Sequence, residues 1–373
     1  MHIGLNLVFL VPGETGGMET AARALLPVLA AAAPGTRFTA FVNREAAAED
    51  WGGGIEAVVL PVSARNRVEW VRGEQQHLPG AARRAGCDLV HSLGSTAPAR
   101  GTFKRVVTIH DVVYKRFPEA HGAIKAIGMR ALVPLAARSS QRIIVDSNAT
   151  RDDLVALLHV PPAKIDVVPL AAVPPLVAPT LEPELRRRLK LGDRPLLLSA
   201  SAKRRHKNLM LLLDAHALLG DDRPLLVLPG YATDHEADLR AHAGELGIAG
   251  DVRFLGWIGG ADLEGLYAAS AAFVFPSLYE GFGLPVLEAM QRGLPVACSD
   301  NSALSEVAGD AALLFDPSSA HSIAASVESI LHDDTLAGRL REDGRAQARG
   351  FTWEATARGC LATYERVLLQ PVA

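Results

Sequence analysis

The chain has 373 residues, 49% apolar and 21% charged, with 33 Gly and 23 Pro. Fibrous, collagenous and disordered classes are excluded by that composition, and single cores stop growing near ~250–300 residues, so two domains are expected. Lys and Arg total 38 against 41 Asp and Glu, a net charge of −3, which excludes a generally basic nucleic-acid-binding protein.

The first run, Ile3–Val11, lacks a basic start and ends in a Gly-rich turn. It reads as a buried strand and not as a signal peptide. Further apolar runs follow at Phe38–Val42, Val58–Pro61, Leu89–His91, Val106–His110 and Ile143–Asp146. A second series comprises Pro195–Ser199, Leu225–Leu228, Val252–Leu255, Ala272–Phe275 and Pro295–Ala297. Several are apolar at successive positions, as parallel strands covered on both faces require. Helical patterns such as Glu19–Ala33, Leu209–Leu219 and Leu284–Arg292 lie between them, which argues for doubly wound α/β sheets. The longest apolar stretch, Ala24–Ala33, contains Pro27 and falls short of the ~20 residues needed to span a membrane.

Seven prolines fall between Pro161 and Pro183, a segment unable to run as a helix or central strand. Two Rossmann-like domains facing across a cleft are therefore expected, at 1–170 and 191–352, with a linker at 171–190. Cys87, Cys298 and Cys360 are far apart and form no CxxC pair. They read as buried thiols in a reducing, cytoplasmic setting, not as a disulfide framework or a zinc site.

Ligands of open α/β sheets bind outside the carboxyl ends of the strands. Four segments there carry candidate chemistry. Gly13-Glu-Thr-Gly16-Gly17-Met18-Glu19 joins the first strand to a helix; it suits a phosphate, and equally a tight βα turn. Its spacing is not GxGxxG, so a dinucleotide fingerprint is unsupported. Ile109-His110-Asp111 closes a strand, where His110 suits a sugar hydroxyl or a developing charge, or a cap. Lys203-Arg204-Arg205-His206-Lys207 follows the first strand of the second series, where cations suit a diphosphate or form a solvated loop. In Phe275-Pro-Ser-Leu-Tyr-Glu280-Gly281-Phe282-Gly283-Leu284-Pro285, Pro285 suits the first helical turn, leaving the N–H groups of Phe282, Gly283 and Leu284 for an anion. Glu280 and Glu288, eight residues apart, suit vicinal hydroxyls, since a carboxylate accepts two hydrogen bonds.

Glu280…Glu288 resembles the E-x7-E motif of retaining GT-B glycosyltransferases, and the surrounding segments resemble family 4. These include Gly16-Gly17-Met18-Glu19, Thr108-Ile-His-Asp111, His206-Lys207-Asn208-Leu209, Phe254-Leu255-Gly256, Gly293-Leu-Pro-Val296, Ser302-Ala-Leu-Ser-Glu306, Phe315-Asp-Pro317 and Phe351-Thr-Trp-Glu354. The resemblance implies a GT-B fold with the nucleotide sugar mainly on the C-terminal domain and the acceptor on the N-terminal one. The final helix, 353–369, would pack back on the N-terminal domain. Glu288 would hold the ribose, and Glu280 the transferred sugar. Lys207 would neutralise the diphosphate, helped by Gly281, Phe282, Gly283 and Leu284 and by Gly16 and Gly17. His110 would lie near the reacting face. Many members carry an Arg five residues before the Lys; Ala202 stands there in this chain, and Arg204 is the expected substitute. Retention by same-face attack, assisted by the leaving phosphate, is the family expectation. No DxD pair stands in a metal-ligating context, so no metal or other cofactor is expected.

The Thr-Ile-His-Asp and His-Lys-Asn-Leu segments resemble the bacterial mannosyltransferase-type branch, pointing to GDP-mannose; UDP-glucose and UDP-N-acetylglucosamine stay open. Base selection would rest on backbone contacts near Gly256-Trp257. A sugar-nucleotide epimerase or a non-catalytic sugar-nucleotide-binding subunit are more distant alternatives. Residues 1–180 carry 19 Lys and Arg against 15 Asp and Glu, the remainder 19 against 26. Nine basic residues lie from Arg100 to Arg142, opposed by Asp111 and Glu119 and interleaved with Tyr114, Phe117, Ile124, Ile127 and Met129. The segment 100–142 suits peripheral contact with an anionic inner membrane face and a lipid-linked saccharide acceptor, or forms a solvated helix. No nucleic-acid partner is expected.

Overall fold

The computed structural model describes residues 1–117 and 123–369, with the side chains of 123–127 excepted. The chain divides into two compact units: Met1–Ala171 with the segment from Phe351 onward, and Ala172–Gly350.

In the first unit the strands are β1 His2–Asn6, β2 Arg37–Val42, β3 Glu56–Val59, β4 Leu89–Ser92, β5 Lys104–Thr108, β6 Arg142–Val145 and β7 Ile165–Val167. They form one parallel sheet in the order β3-β2-β1-β4-β5-β6-β7. Its helices are α1 Gly17–Ala32, α2 Arg67–Arg72, α3 Leu78–Ala85, α4 Val113–Arg116, α5 Ala123–Ser139 and α6 Asn148–Leu158, with a π-helical turn at Gly73–His77. Every residue of β1 and β4 is buried, as central parallel strands require. Side-chain caps start several helices: Ser147 accepts from the Thr150 N–H at α6, and Asn66 from Val68 and Glu69 at α2.

The second unit begins with α7 Glu182–Leu189. Its strands are β8 Leu196–Leu198, β9 Leu225–Leu228, β10 Val252–Phe254, β11 Ser270–Phe275, β12 Val296–Ser299 and β13 Leu313–Phe315. They are parallel, in the order β10-β9-β8-β11-β12-β13. Around them lie α8 Leu209–Ala217, α9 His235–Glu245, α10 Gly260–Ala269, α11 Leu284–Gln291, α12 Ser302–Ala308, α13 Ala320–His332 and α14 Asp334–Arg349. Leu197, Leu212, Leu226, Val274, Ala297, Ile323 and Val327 form the centre of its core.

The last helix, α15 Trp353–Leu368, returns to the first unit and packs on α1 and on β5, β6 and β7. Its polar side chains fix it there. Thr356 donates to the Pro169 carbonyl at 2.7 Å, Thr363 to Asp166 at 3.0 Å, and Arg366 pairs with the same Asp166. Tyr364 meets His91 Nδ1 at 2.7 Å, while His91 Nε2 meets the Thr108 hydroxyl at 2.7 Å.

The proline-rich segment holds an edge strand, which the expectation left open, and a helix, which it did not. Ile165–Val167 forms β7, allowed because it is an edge strand whose prolines lie outside the paired residues. Within the expected 171–190 linker, 182–189 is helical; Pro183 sits at the helix start, and α7 packs on α10 of the second unit. All three cysteines are buried free thiols.

Candidate active site

In the second unit the strand order reverses between β8 and β11, the place where open α/β sheets bind ligands. Lys207 follows β8 and Glu280 follows β11, and the two meet there: Lys207 Nζ lies 2.5 Å from Glu280 Oε1. Both side chains are mostly enclosed, at 16% and 14% exposed. The ammonium also stands 5.3 Å from the centre of the Phe275 ring. Two unpaired ions so placed would be costly, so each stabilises the other while still facing the strand ends.

The loop carrying Glu280 is fastened along its length. The Leu278 N–H donates to the His206 carbonyl at 2.8 Å, and the Ser277 hydroxyl donates to the same carbonyl. Asn301 donates to the Ser277 and Leu278 carbonyls at 3.1 and 3.0 Å, and the Glu280 N–H donates to the Ser302 hydroxyl. Gly283 caps α11 with φ of 111°, a left-handed conformation that favours glycine. Among the described residues, the N–H groups of Gly283 and Leu284 donate to nothing, and Pro285 has none to satisfy. These two open donors at a helix N-terminus have the chemistry to receive an anion beside Lys207 and Glu280.

Glu288 lies one turn into α11 and accepts from the Tyr267 hydroxyl at 3.3 Å. Burial raises its pKa, against the pull of nearby Arg292. Arg292 itself is paired with Glu264 at 2.7 Å.

The three basic residues before Lys207 have separate fates. Lys203 is fully buried, and Arg205 pairs with Asp238 at 3.1 Å. Arg204 is half-buried, and its guanidinium has no partner among the described residues. Of the three it alone is uncommitted, a distinction the sequence could not make.

Gly16, Gly17 and His110 belong to the first unit. Gly16 caps α1, and Gly17 is its first residue. Met18 and His110 line one small cavity of about 20 Å³, room for a single water, together with Asp146, Thr108, Thr356 and Cys360. Asp111, adjacent in sequence, is not the partner of the His110 ring; it accepts from the Val113 N–H at 2.9 Å. His110 Nδ1 instead donates to Asp146 Oδ2 at 2.7 Å, and Nε2 donates to the Leu93 carbonyl at 2.8 Å. Both partners are pure acceptors, so both ring nitrogens carry protons and the ring is an imidazolium. Burial opposes this charge; the Asp146 carboxylate and the Leu93 carbonyl outweigh it and raise the pKa to about 9. Asp146 Oδ1 is buried and has no hydrogen-bond partner among the described residues. Asp146 ends a strand run visible in sequence, but only spatial adjacency of β5 and β6 reveals its role.

The basic segment from 100 to 142 is less free than its composition suggests. Arg116 pairs with Asp153, Arg142 pairs with Asp166 at 2.5 Å, and Arg105 Nε donates to the Ser139 carbonyl at 2.8 Å. Acids distant in sequence thus neutralise part of the excess. Tyr114 is 2% exposed and contributes to the core rather than to an apolar surface. Arg100, Lys115, Arg130 and Arg138 remain exposed. The side chains of Lys125, Ile124 and Ile127, and all of Glu119, lie outside the described residues.

Two parallel Rossmann-like sheets, each with a reversal of strand order, are the architecture of the GT-B class of glycosyltransferases. Residues 15–172 match the family described as Glycosyltransferase Family 4, and residues 182–347 match Glycosyl transferases group 1. The chain belongs to glycosyltransferase family 4. It is 35% identical over 259 residues to O-antigen chain mannosyltransferase B of Escherichia coli, covering 67% of each chain. It is 28% identical over 311 residues to an MMP alpha-(1->4)-mannosyltransferase of Mycolicibacterium hassiacum, covering 79% of this chain and 74% of that one. Sucrose-phosphate synthase from Thermosynechococcus elongatus has the same fold, with a TM-score of 0.79 at 22% identity and 98% of each chain covered. Among the described residues, no helix is long and apolar enough to cross a membrane.

Proposed function

We propose that this glycosyltransferase transfers mannose from GDP-mannose, with retention of configuration, to a glycan acceptor that is lipid-linked. The observation that carries the reading is the Lys207–Glu280 pair beside the open N–H groups of Gly283 and Leu284. It joins anion recognition to hydroxyl recognition at one strand-order reversal, which is what a sugar diphosphate requires. The mannosyl choice rests on the relatives from Escherichia coli and Mycolicibacterium hassiacum, both mannosyltransferases by name.

In this reading the departing nucleoside diphosphate takes up negative charge as the glycosidic bond to the donor sugar breaks. Lys207, Arg204 and the α11 N-terminus meet that charge, so the reaction proceeds without a metal or cofactor. Glu280 orients hydroxyls of the transferred sugar, and Glu288 holds the ribose. His110 supplies a fixed positive charge, since both its N–H groups are already engaged. The leaving phosphate assists attack on the face it vacates.

A thermal-shift screen with GDP, UDP, ADP and their sugar conjugates tests the donor. A ligand at ~100 times its dissociation constant stabilises the fold by ~2.7 kcal/mol. Selective shifts with GDP and GDP-mannose are expected. A selective UDP response would replace the donor, and no response to any nucleotide would overturn the reading. Exposed Arg130 and Arg138 favour docking on an anionic bilayer. Co-sedimentation with anionic vesicles at low salt, lost in the double variant Arg130→Glu/Arg138→Glu, is the expected result; wild-type protein left in the supernatant would refute it.

A further inference from the structure

Lys203 has a different occupation from the basic residues beside it. Its side chain is 0% exposed, and its ammonium donates to the carbonyls of Gly230 and Leu255, both at 2.6 Å. Those carbonyls belong to the loops after β9 and β10. One side chain from the β8 loop therefore bridges three neighbouring strand ends.

Backbone contacts follow the same path. The Lys203 N–H donates to the Tyr231 carbonyl at 3.1 Å, the Thr233 hydroxyl donates to the Lys203 carbonyl, and the Gly230 N–H donates to the Gly256 carbonyl at 3.1 Å. Gly230 has φ of +127°, and a Cβ there would lie 2.2 Å from the Ser201 carbonyl oxygen. The β8 and β9 loops thus approach as closely as backbone allows. Burial disfavours the ammonium and lowers its pKa to about 8. Filling the volume alone would be served better by an apolar side chain, so the donors are what the site uses.

The outer side of these loops carries ligand-facing chemistry. The Tyr231 and Trp257 rings stack at 4.7 Å with a 20° interplanar angle, and Trp257 is 66% exposed. The exposed Gly256 N–H has no partner among the described residues. In a trans peptide the C=O and the following N–H point in opposite directions. Drawing the Leu255 carbonyl onto the buried ammonium therefore turns the Gly256 N–H outward.

We propose that Lys203 is a positioning residue for the nucleoside end of the donor: by clamping Gly230 and Leu255 from beneath, it sets the Gly256 N–H and the Tyr231–Trp257 stack to receive a planar, hydrogen-bonding base. The proposal rests on reading the second unit as the donor-binding one.

Calorimetric titration of the full chain with GDP, UDP and inorganic pyrophosphate, beside steady-state kinetics and melting curves, tests it. Lys203→Met is expected to weaken binding of the preferred nucleotide and raise donor KM by about tenfold, with kcat, acceptor KM and pyrophosphate affinity within about twofold. Thr233→Val, which loosens the seat of Lys203 while keeping its ammonium, should move nucleotide affinity in the same direction by about threefold. Should Lys203→Met fail to fold, unchanged nucleotide binding in Thr233→Val overturns the proposal. So does a loss of nucleotide and pyrophosphate affinity in equal measure, the mark of a general structural role. Wild-type protein that binds pyrophosphate but neither nucleotide overturns it too, and wild-type protein that binds none of the three overturns the donor reading beneath it.

Discussion

Lys207 and Glu280 form a 2.5 Å ion pair across the reversal of strand order in the second unit, on loops 73 residues apart in the chain. Each is the other's counter-ion, so the two roles proposed for them would be coupled before any ligand binds. Glu280→Gln keeps an acceptor for the ammonium and should leave the melting temperature close to wild type. Turnover should fall by about 100-fold or more, since hydroxyl orientation and the local charge balance both change. Lys207→Ala should lose a similar factor and also destabilise, by about 1–3 kcal/mol, because Glu280 is left enclosed without its partner. Near-wild-type turnover in both variants would remove these residues from the site.

Arg204 and Arg205 are neighbours with opposite prospects. Arg205 already pairs with Asp238, and Arg204 has no protein partner among the described residues. Arg204→Ala should raise donor KM by about five- to tenfold, and Arg205→Ala should change it by less than about twofold. Steady-state kinetics with varied donor separate the two, and the reverse order would place the phosphate contact on Arg205.

His110 and Asp146 make a pH prediction with a definite sign. His110 has a pKa of about 9 in the fold against 6.5 when free. The stability contributed by the pair, on the order of 3 kcal/mol, is complete below pH 6.5 and fades as pH rises through 9. The charged groups facing the ring are Asp146 and Asp111, with neutral His91 beside them. Wild-type kcat/KM should show no titration from His110 between pH 6 and 8. Asp146→Asn should introduce a loss of activity as pH rises through about 6, reaching about tenfold or more at pH 8. A flat profile in that variant would mean that the charge on His110 has no part in turnover.

Acid should act on the first unit through His91. Burial lowers its pKa to about 3, aided by the charge on His110, so the folded state resists a proton that the unfolded chain accepts. Stability therefore declines as pH falls below 6.5 toward 3. Tyr364→Phe removes the hydroxyl that meets His91 and should cost about 1–2 kcal/mol in urea denaturation at pH 7. A change under about 0.3 kcal/mol would show that the Tyr364 hydroxyl adds nothing to the hold of Thr356, Thr363 and Arg366 on α15.

The long parallel strands were legible because their residues are apolar at successive positions, as in Leu225–Leu228 and Ala272–Phe275. The short strands β7 and β13 were not, unlike β8 and β10 of the same length: β7 stands among prolines and has Asp166 at its centre, and β13 is an edge strand with Leu314 exposed. The helix-start chemistry after Glu280 was readable from Gly283 and Pro285, whose backbone requirements are local. What escaped sequence reasoning was partner choice over distance. Within Lys203–Lys207 every cation looks alike until burial assigns Lys203 to the interior and Asp238 claims Arg205. Asp111 is the acid next to His110 in sequence, yet the chain after β6 delivers Asp146 to the ring. The basic run from 100 to 142 contains only two acids of its own, Asp111 and Glu119, whereas Asp153 and Asp166, beyond its end, neutralise two of its arginines.

The return of α15 to the first unit makes that unit discontinuous, with the whole of the second inserted between Ala171 and Phe351. On the ribosome, β1 through β7 emerge early but wait for the last helix, since Thr356, Thr363, Tyr364 and Arg366 close contacts with Pro169, Asp166 and His91. The inserted unit, made later but continuous in sequence, is expected to complete itself first, since it needs no segment from beyond Gly350. Maturation therefore runs from the middle of the chain outward, and a nascent polypeptide stalled short of Trp353 carries a finished inner unit beside an N-terminal half that still exposes the surface α15 will cover.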